Sequence, residues 1–438
     1  MPRCVVRFTD LAGRRVGLWG LGREGRATLA ILRGLRNPPS SILVATDTPH
    51  PQDRPQDVPW HHGEAGLLAL RGCDVVIRSP GISRYREDAL ALRSITTTAT
   101  DLWFAEHDSE AIIAVTGSKG KSTTASLIAH LLRKGGHRAT LAGNIGIPMV
   151  GVTERSDIWV LELSSHQTSD LTHSPRTGVV TNLHREHIDW HGSLERYIAD
   201  KLNLFAHRQD GTAVLNAADP MTQSHIPAAH RVAWFNSADG FRATSRAVMR
   251  GDAILLQQRA LRLRGAHNLS NVAAALAAID AAGIDTGPLL KHAGSFEPLR
   301  HRLESVGERD GVEYFNDSIA TIPEAAIAAC EALRDQPLTL LAGGFDRHQD
   351  HAPLVAYLSC HPEIRVIAMP PSGLRLAAEL DGAGVSVDIA DNLAAAVRHA
   401  RSITPAGGVV LLSPAAPSYG LFGDFEQRGD SFRELAQA

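Results

Sequence analysis

The most specific chemical signal in the chain is a phosphate-binding loop. The apolar run Ile112-Ile113-Ala114-Val115 leads into Thr116-Gly117-Ser118-Lys119-Gly120-Lys121-Ser122-Thr123, and a helix-forming stretch follows. Backbone N–H groups in such a loop, together with the N-terminus of its helix, bind anionic oxygens. Lys121 is placed to reach the transferred phosphate, and the Ser122 hydroxyl to bind Mg²⁺. Val115 stands where the strict motif has its first glycine, so the sequence predicts a variant ATP-binding loop.

Two further positions, Glu162 and His187, carry groups that could hold a metal ion. Glu162 ends an apolar run, and a carboxylate there could bridge a metal between ATP and substrate oxygens, or could be a polar strand end. His187 lies among histidines and acids that also suit zinc. Lys201 follows in an amphipathic helical pattern. From the pattern alone, Lys201 is a solvated lysine.

A second glycine-rich turn lies near the N-terminus. Gly20, Gly22 and Gly25 follow an apolar run at the spacing G-x-G-x-x-G, and Asp47 ends the next run. This spacing permits close approach to a pyrophosphate, and an acid about 20 residues later is typical of a ribose site. The motif fits three interpretations: the NAD site of a dehydrogenase, a site for another nucleotide, or a tight turn with no ligand. An ATP loop elsewhere favours a second nucleotide-bearing substrate over a dehydrogenase.

Composition narrows the class of protein. The 438 residues carry a net charge of −3 and are 44% hydrophobic, which offers no electrostatic case for binding nucleic acid or an anionic membrane. The four cysteines have no metal-ligand spacing: Cys4, Cys73, Cys330 and Cys360. The N-terminus lacks the apolar core of a signal peptide, and no run approaches the roughly 20 apolar residues that cross a bilayer. We therefore expect a cytoplasmic protein without membrane insertion.

The elements that must position these groups follow an α/β pattern. Strand-like apolar runs alternate with Ala/Leu-rich helical stretches, which predicts parallel sheets covered by helices. Three blocks result, and we place them at residues 1–104, 105–298 and 299–438. The first carries the glycine-rich turn, and the second carries the phosphate loop.

In order and identity, these motifs resemble those of the Mur ligases, the ATP-dependent amide ligases that assemble the peptidoglycan stem peptide. The matching segments are Thr116 to Thr123, Gly143-Asn144-Ile145-Gly146, Glu162-Leu163-Ser164-Ser165, His187-Ile188-Asp189, His267-Asn268 through Asn271, His301-Arg302-Leu303-Glu304, Asn316-Asp317-Ser318 and the C-terminal run LLSPAAPSYGLFGDFEQRGDSF. The C-terminal segments are similar to the MurD type, which adds glutamate to UDP-N-acetylmuramoyl-L-alanine. The resemblance covers almost the whole chain.

The resemblance implies a three-domain architecture and a role for each motif. It assigns the UDP part of the substrate to an N-terminal Rossmann-like domain, ATP to a central phosphate-loop domain and the incoming amino acid to a C-terminal Rossmann-like domain. The implied UDP-substrate residues are Gly20, Gly22, Gly25, Asp47, Thr48 and Asn144. The implied ATP-binding residues are those of the loop from Gly117 to Thr123, with Asn268, Asn271, Arg302 and Asp317.

The resemblance also implies the metal ligands and the reaction. Ser122 and Glu162 would hold one Mg²⁺, and His187 a second. Lys201 matches a lysine that the family carbamylates, so that it becomes an anion that helps position that metal. Lys121, His187 and Lys201 are then the catalytic candidates. The substrate carboxylate would take the γ-phosphoryl of ATP to form an acyl phosphate, which the amine of glutamate attacks.

Departures from the family pattern gather where the amino acid should bind. Ile319 replaces a lysine, Arg347 takes the place of another lysine, and Pro417 and Tyr419 change the segment before the FEQRG motif, while Ser418 and Phe422 persist. With Thr321, the residues Arg347, Ser418, Tyr419 and Phe422 are the amino-acid-binding candidates. These changes favour the small group that adds L-glutamate, with a separate epimerase acting afterwards, over ordinary D-glutamate enzymes.

Other readings remain open at the sequence level. A nucleotide-regulated binding protein without turnover would not need the intact Lys121, Glu162, His187 and Lys201. A folate-type ligase shares the phosphate loop, but the glycine-rich front block and the FEQRG ending favour the muramoyl enzyme. The expected protein is a monomer whose partners are UDP-N-acetylmuramoyl-L-alanine and glutamate.

Overall fold

The computed structural model describes residues 7–49, 55–227 and 231–438. The chain divides into two compact units, the first made of Met1–Leu256 with Ser270–Ala293 and the second of Gln257–Leu269 with Gly294–Ala438. No helix within the described ranges has both the length and the apolar content needed to cross a membrane.

The first unit begins with a five-stranded parallel sheet in the order β3-β2-β1-β4-β5. Its strands are β1 Arg15–Trp19, β2 Ser41–Thr46, β3 Trp60–His62, β4 Val75–Arg78 and β5 Thr96–Thr97. Its helices are α1 Arg23–Gly34, α2 Gly63–Arg71, α3 Glu87–Leu92 and α4 Ala99–Glu106. Burial of apolar residues on the central strands is what a parallel sheet with two covered faces requires.

A six-stranded parallel sheet follows in the order β11-β10-β9-β6-β8-β7. Its strands are β6 Ile112–Thr116, β7 Ala139–Gly143, β8 Ile158–Glu162, β9 Thr177–Val180, β10 Thr212–Asn216 and β11 Arg231–Phe235. The helices of this region are α5 Lys121–Lys134, α6 Ser165–Thr168, α7 Ile188–His191, α8 Leu194–Leu202, α9 Pro220–Ser224 and α10 Ala266–Ala281. All five residues of β6 are buried, so the phosphate loop leaves from the middle of the sheet.

Polar contacts join the two parallel sheets inside the first unit. The side chains of Arg78 and Asp170 form an ion pair in which each is only 1% exposed. The hydroxyl of Tyr85 donates to the Asp200 carboxylate at 2.9 Å, and the Trp190 indole N–H donates to the carbonyl of Pro80 at 3.1 Å. Separation of the two sheets would leave the buried charges of Arg78 and Asp170 without their partners, which is strongly unfavourable. The ion pair therefore favours the arrangement in which the two sheets stay together.

Smaller elements complete the chain. A three-stranded sheet has the order β12-β13-β14, formed by β12 Phe241–Ala243, β13 Ala247–Arg250 and β14 Ala253–Gln257. Short 3₁₀ helices occupy Phe8–Leu11, Ser109–Ala111, Met149–Gly151, Asn203–Phe205, Gln258–Ala260 and Gly287–Ser295.

The second unit is built on a six-stranded sheet in the order β15-β16-β20-β17-β18-β19, parallel except for the β15–β16 pair. Its strands are β15 Glu304–Arg309, β16 Val312–Asn316, β17 Leu338–Gly343, β18 Arg365–Met369, β19 Asp388–Ile389 and β20 Val409–Leu412. Its helices are α11 Pro323–Leu333, α12 Ala352–Ser359, α13 Ser372–Gly382, α14 Leu393–Ile403 and α15 Phe425–Gln437. The predicted α/β class is confirmed, and Lys201 lies in helix α8 as expected.

Candidate active site

Local packing at the phosphate loop requires glycine. Gly120 has a φ of 82° and precedes α5, and a Cβ built on it would lie 2.2 Å from Oδ1 of Asn271. Any other residue would therefore clash with that side chain and strain the backbone. The hydroxyl of Thr181, just after β9, donates to the carbonyl of Lys119 at 2.6 Å. The predicted strand, loop and helix are present in the predicted order.

Three lysines surround this loop. Lys121 donates from Nζ to the carbonyl of Ser118 at 2.7 Å, and Lys201 donates from Nζ to the carbonyl of Gly117 at the same distance. Lys119 pairs with Glu186 at 2.6 Å. Lys121 thus brings positive charge to the loop where a nucleotide's phosphates would bind, whereas the charge of Lys119 is balanced by Glu186, and this favours an anionic ligand near Lys121.

Glu162 lies at the same edge of the sheet as the phosphate loop, because Glu162 is the partner of Val115 in the β6–β8 ladder. Its Oε1 accepts a hydrogen bond from Asn144 Nδ2 at 3.1 Å. Its Oε2 is buried and has no hydrogen-bond partner among the described residues, and the residue is 2% exposed. A buried carboxylate oxygen without a donor is costly unless a cation binds it, so this oxygen fits a metal ligand.

His187 lies in strained backbone next to a second histidine. It has a φ of 53° and precedes α7, and its ring centroid is 4.9 Å from that of His166. Burial lowers the pKa of His187, and burial lowers the pKa of His166 to about 3. Both imidazoles are therefore neutral at physiological pH and able to act as ligands or hydrogen-bond partners.

Lys201 is not the solvated side chain that its pattern suggests. It is 2% exposed, and its Nζ lies 4.9 Å from the centroid of the Tyr197 ring. Burial, reinforced by the charge of Lys121, holds the pKa of Lys201 well below its ordinary range. An amine in this environment is available in its neutral, nucleophilic form.

The glycine-rich turn of the first sheet is also closely packed. A Cβ added to Gly25 would lie 2.4 Å from the carbonyl oxygen of Gly20, so the helix can start here only with glycine. Gly22 precedes α1 as its cap. The carboxylate of Asp47 pairs with Arg86, and the carbonyl of Thr48 accepts from the Thr46 hydroxyl at 2.9 Å.

The two asparagines predicted to bind adenosine belong to different units, Asn271 to the first and Asn268 to the second. Asn271 is 8% exposed and accepts from the Thr124 hydroxyl at 3.4 Å, next to the phosphate loop. Asn268 is 7% exposed and donates from Nδ2 to the carbonyl of Arg264 at 2.7 Å.

Arg302 and Asp317 lie close together in the second unit. Asp317 accepts hydrogen bonds from the backbone N–H of Leu303 at 3.1 Å and from the Ser413 hydroxyl at 2.8 Å. Burial raises the pKa of Asp317 to about 7, although the charge of Arg302 opposes that shift. Asp317 is therefore partly protonated near neutral pH.

Two of the five amino-acid candidates line a cavity in the second unit. Ser418 and Phe422 contribute to a cavity of about 180 Å³ at the ends of strands β17 and β18 and at the start of α14. Arg428 also lines it, is 2% exposed, and donates to the carbonyls of Ala416, Pro417 and Ser318. Its described hydrogen bonds include no carboxylate, but Asp391 also lines the cavity, so the wall carries charges of both signs.

The other three candidates do not line this cavity. Arg347 is exposed, and its guanidinium lies 5.2 Å from the centroid of the Tyr419 ring. The carbonyl of Thr321 accepts from Gln349 Nε2 at 2.6 Å, which ties Thr321 to the loop that carries Arg347.

Several residues of these sites carry no signal in the sequence. Glu24, inside the glycine-rich turn, accepts from Gln167 at 3.0 Å, and burial raises its pKa to about 7. Arg86, which pairs with Asp47, and Arg375, which pairs with Asp346, were also unpredicted. Their partners are distant in the sequence, so short motifs could not reveal them. Among the described residues, no cluster of three or more His, Cys, Asp or Glu is arranged to hold a metal.

Sequence comparison identifies the family. The Mur ligase middle domain matches residues 115–279, and the domain described as "Mur ligase, glutamate ligase domain" matches residues 301–416. The chain belongs to the Mur ligase family, which confirms the resemblance found in its motifs.

Within the family, the chain is similar to ligases that share one name. The chain is 41% identical to the UDP-N-acetylmuramoyl-L-alanine–L-glutamate ligase of Xanthomonas campestris pv. campestris (strain 8004), over 98% of this chain and 97% of the relative. It is 39% identical to the enzyme of the same name from Micromonospora sp. (strain ATCC 39149 / NRRL 15099 / SCC 1413), over 99% and 98% of the two chains.

Solved structures confirm the fold. The MurF ligase from Thermotoga maritima in complex with ADP aligns with a TM-score of 0.61 and 17% identity, over 99% of this chain and 98% of that one. The UDP-N-acetylmuramate-alanine ligase MurC from the same organism aligns with a TM-score of 0.62 and 18% identity, over 97% and 99%.

Proposed function

We propose that this protein is an ATP-dependent amide ligase that adds L-glutamate to UDP-N-acetylmuramoyl-L-alanine in peptidoglycan precursor synthesis. The observation that carries the proposal is the unpartnered Oε2 of Glu162, which lies at the sheet edge from which the lysine-rich phosphate loop leaves. The choice of L-glutamate rests on the names of the relatives, which match almost the full length of the chain.

The chemistry begins with a carboxylate, which is a poor electrophile until it is activated. The terminal carboxylate of the nucleotide substrate takes the γ-phosphoryl of ATP, and the amine of L-glutamate then displaces phosphate from the acyl phosphate. The loop from Gly117 to Thr123 binds the phosphates through its N–H groups, and Lys121 neutralises charge that develops on the transferred group. Burial of the site limits loss of the acyl phosphate to water.

We propose that two Mg²⁺ ions bind beside this loop. Ser122 and Glu162 would hold one ion, which supplies charge neutralisation when bound. His187 would hold the second. The unpartnered oxygen of Glu162 and the neutral imidazole of His187 support this assignment.

We propose that Lys201 is carbamylated, as the family resemblance implies. A neutral amine adds to CO₂ to form N–COO⁻ and release one proton, which would convert this position into an anionic ligand near His187. The support is the burial of Lys201 and the lowered pKa of its amine. The resulting charge would balance the lysines of the phosphate loop.

We assign the remaining contacts by block. Residues 1–104 would bind the UDP moiety through Gly20, Gly22, Gly25, Asp47 and Thr48, with Asn144 contacting the muramoyl part. Residues 105–298 would bind ATP, with Asn268 and Asn271 at adenosine. Residues 299–438 would bind the amino acid and contribute Arg302 and Asp317 to the nucleotide.

The amino acid would bind in the second unit through its two carboxylates. We assign one of them to the cavity beside Ser418 and Phe422, where the buried charge of Arg428 and the N-terminus of α14 favour an anion and Asp391 in the lining opposes it. Arg347, with Thr321 and Tyr419, would bind the other carboxylate. A planar guanidinium can bind a carboxylate through two hydrogen bonds, unlike the lysine of the family pattern.

We also propose the cellular setting expected from the sequence. The enzyme would act in the cytoplasm as a monomer on small-molecule substrates. A separate epimerase in the same pathway would then convert the L-glutamyl product.

The test is phosphate release from purified protein with ATP, Mg²⁺ and UDP-N-acetylmuramoyl-L-alanine, with L-glutamate or D-glutamate, and with product identification by mass spectrometry. Release with L-glutamate alone is expected, and removal of dissolved CO₂ should reduce it until bicarbonate is added. Release with D-glutamate alone would refute the stereochemical assignment, and release with neither would refute the glutamate assignment.

A further inference from the structure

The loop between β17 and α12 presents Arg347, the proposed carboxylate-binding group. Arg347 is exposed, and its guanidinium lies 5.2 Å from the centroid of the Tyr419 ring. A long side chain in such a position loses conformational freedom when it binds a ligand. Its usefulness for recognition therefore depends on how well the loop beneath it is held.

Asp346, which immediately precedes Arg347, is held by an arginine from another element. Arg375, in helix α13, donates from Nε to Asp346 Oδ2 at 3.1 Å and from Nη2 to Asp346 Oδ1 at 2.9 Å. This is a bidentate, charge-assisted pair, which fixes the orientation of the carboxylate as well as its position. Hydrogen bonds from Arg375 hold the pKa of Asp346 at about 2, so the pair stays charged at physiological pH.

The same carboxylate also fixes the backbone on the far side of Arg347. The backbone N–H of His348 donates to Asp346 Oδ1 at 2.7 Å, and His348 has a φ of 56°. An aspartate that bonds the N–H two residues later forms an Asx-turn, here with Arg347 at its centre. One residue further on, Gln349 donates to the carbonyl of Thr321, so the loop is held at both ends of the turn.

We propose that Asp346 and Arg375 are positioning residues for glutamate recognition, because their bidentate pair holds the turn that presents Arg347. The proposal rests on the proposed function, and it adds two residues to those already assigned to the amino acid. Their contribution is to make Arg347 ready to bind a carboxylate before glutamate arrives.

Helix α13 also provides a matched control for this pair. Arg375 donates from Nη1 to Glu379 Oε1 at 2.9 Å, so one guanidinium binds two carboxylates. Only the Asp346 carboxylate belongs to the turn that presents Arg347, whereas the Glu379 carboxylate lies 3.4 Å from Nδ1 of His351 at the far end of the same loop. The two carboxylates can therefore be neutralised separately while Arg375 stays in place.

The experiment compares D346N with E379Q in the phosphate-release assay. We expect D346N to raise the KM for L-glutamate about tenfold, because the neutral amide weakens the bidentate pair, while the KM values for ATP and the nucleotide sugar stay unchanged. E379Q should leave the KM for L-glutamate within about twofold of wild type, because it spares the Asp346 contact.

A second variant tests the other side of the pair and replaces D346N if that protein does not fold. R375K keeps the positive charge but loses the planar fork, and it should raise the KM for L-glutamate with little change in kcat. The double variant D346N/R375K should be no worse than the poorer single variant, because both remove one interaction.

Three outcomes would overturn the inference. The first is a KM for L-glutamate in D346N equal to that in E379Q, the second is a rise of the KM values for all three substrates together, and the third is additive effects in the double variant. Wild-type protein that releases no phosphate with either glutamate would refute the proposed function, and the inference with it.

Discussion

The phosphate-loop region of the first unit and the Arg347 loop of the second unit are built in different ways. Lys201 and Glu162 are each 2% exposed, and two lysines of the first site bond to backbone carbonyls of the loop. In the second region Arg347 is exposed, and Tyr419 is 51% exposed. Binding of phosphates thus relies on backbone and buried groups, whereas the proposed recognition of one glutamate carboxylate by Arg347 relies on exposed side chains that can change without disturbing a core.

The largest expected effect tests the buried half of this comparison. E162Q keeps the shape of the side chain and its acceptor for Asn144 but removes the charge from Oε2. We expect kcat for phosphate release to fall roughly 10²–10³-fold, because transition-state charge loses its compensation, with the KM for L-glutamate unchanged. Steady-state kinetics at saturating Mg²⁺ would measure both.

E154Q provides the control for E162Q, because Glu154 is exposed and lies before β8, outside the site. It should behave as wild type. A kcat for E162Q close to that of E154Q would show that the unpartnered oxygen has no part in the reaction, and the contrast between the two regions would fail.

An intermediate effect concerns stability, because burial raises the pKa of two of the described carboxyls to about 7: Glu24 in the first unit and Asp317 in the second. Such a group binds its proton more tightly in the folded state, so the free energy of unfolding falls as pH rises from about 4 to about 7, by at most about 1.4 kcal/mol per pH unit for each group. E24Q and D317N should each reduce that slope, as measured by urea denaturation across this pH range.

D157N is the reference for the pH experiment. Asp157 is an exposed carboxyl whose pKa its partner Arg138 lowers, so it does not contribute the fall in stability between about pH 4 and about pH 7 that a raised pKa produces. Its removal should leave the slope unchanged. If the free energy of unfolding of E24Q and of D317N changed with pH as steeply as that of D157N, the carboxyls of Glu24 and Asp317 would not have the raised pKa values described above.

The smallest expected effect tests the exposed half of the comparison. The Arg347–Tyr419 contact joins two departures from the family pattern, since both positions differ from the common MurD residues. A cation–π contact at an exposed site contributes about 0.5–1 kcal/mol, so Y419L should raise the KM for L-glutamate about two- to fivefold. A double-mutant cycle with R347K would measure the coupling, and independent effects would show that the contact has no role in binding.

Local motifs predicted the part of the site that is contiguous in sequence. The loop from Gly117 to Thr123 specifies its own strand, turn and helix, and Glu162 was recognisable because it ends an apolar run. The α/β class followed from the alternation of strands and helices for the same reason. These features depend on residues within about 20 positions of one another.

Contacts between residues that are far apart in the sequence could not be predicted from it. Periodicity described Lys201 as solvated, and only the family resemblance singled it out, because its burial results from packing against the phosphate loop. The pairs Glu24–Gln167 and Asp346–Arg375 join residues 143 and 29 positions apart. No propensity or spacing rule encodes such contacts, which are set by how the sheets and helices pack.

The ion pair of Arg78 with Asp170 limits how long a substrate must be to reach from one site to the other. This pair, with the Tyr85–Asp200 hydrogen bond, fixes the glycine-rich turn of the first sheet relative to the phosphate loop of the second. Under the proposed function, the protein therefore fixes the distance between the site for the diphosphate of the nucleotide sugar and the site for the γ-phosphate of ATP. A nucleotide sugar without its alanine would be held by the same UDP contacts, yet its carboxylate would end short of the phosphoryl group.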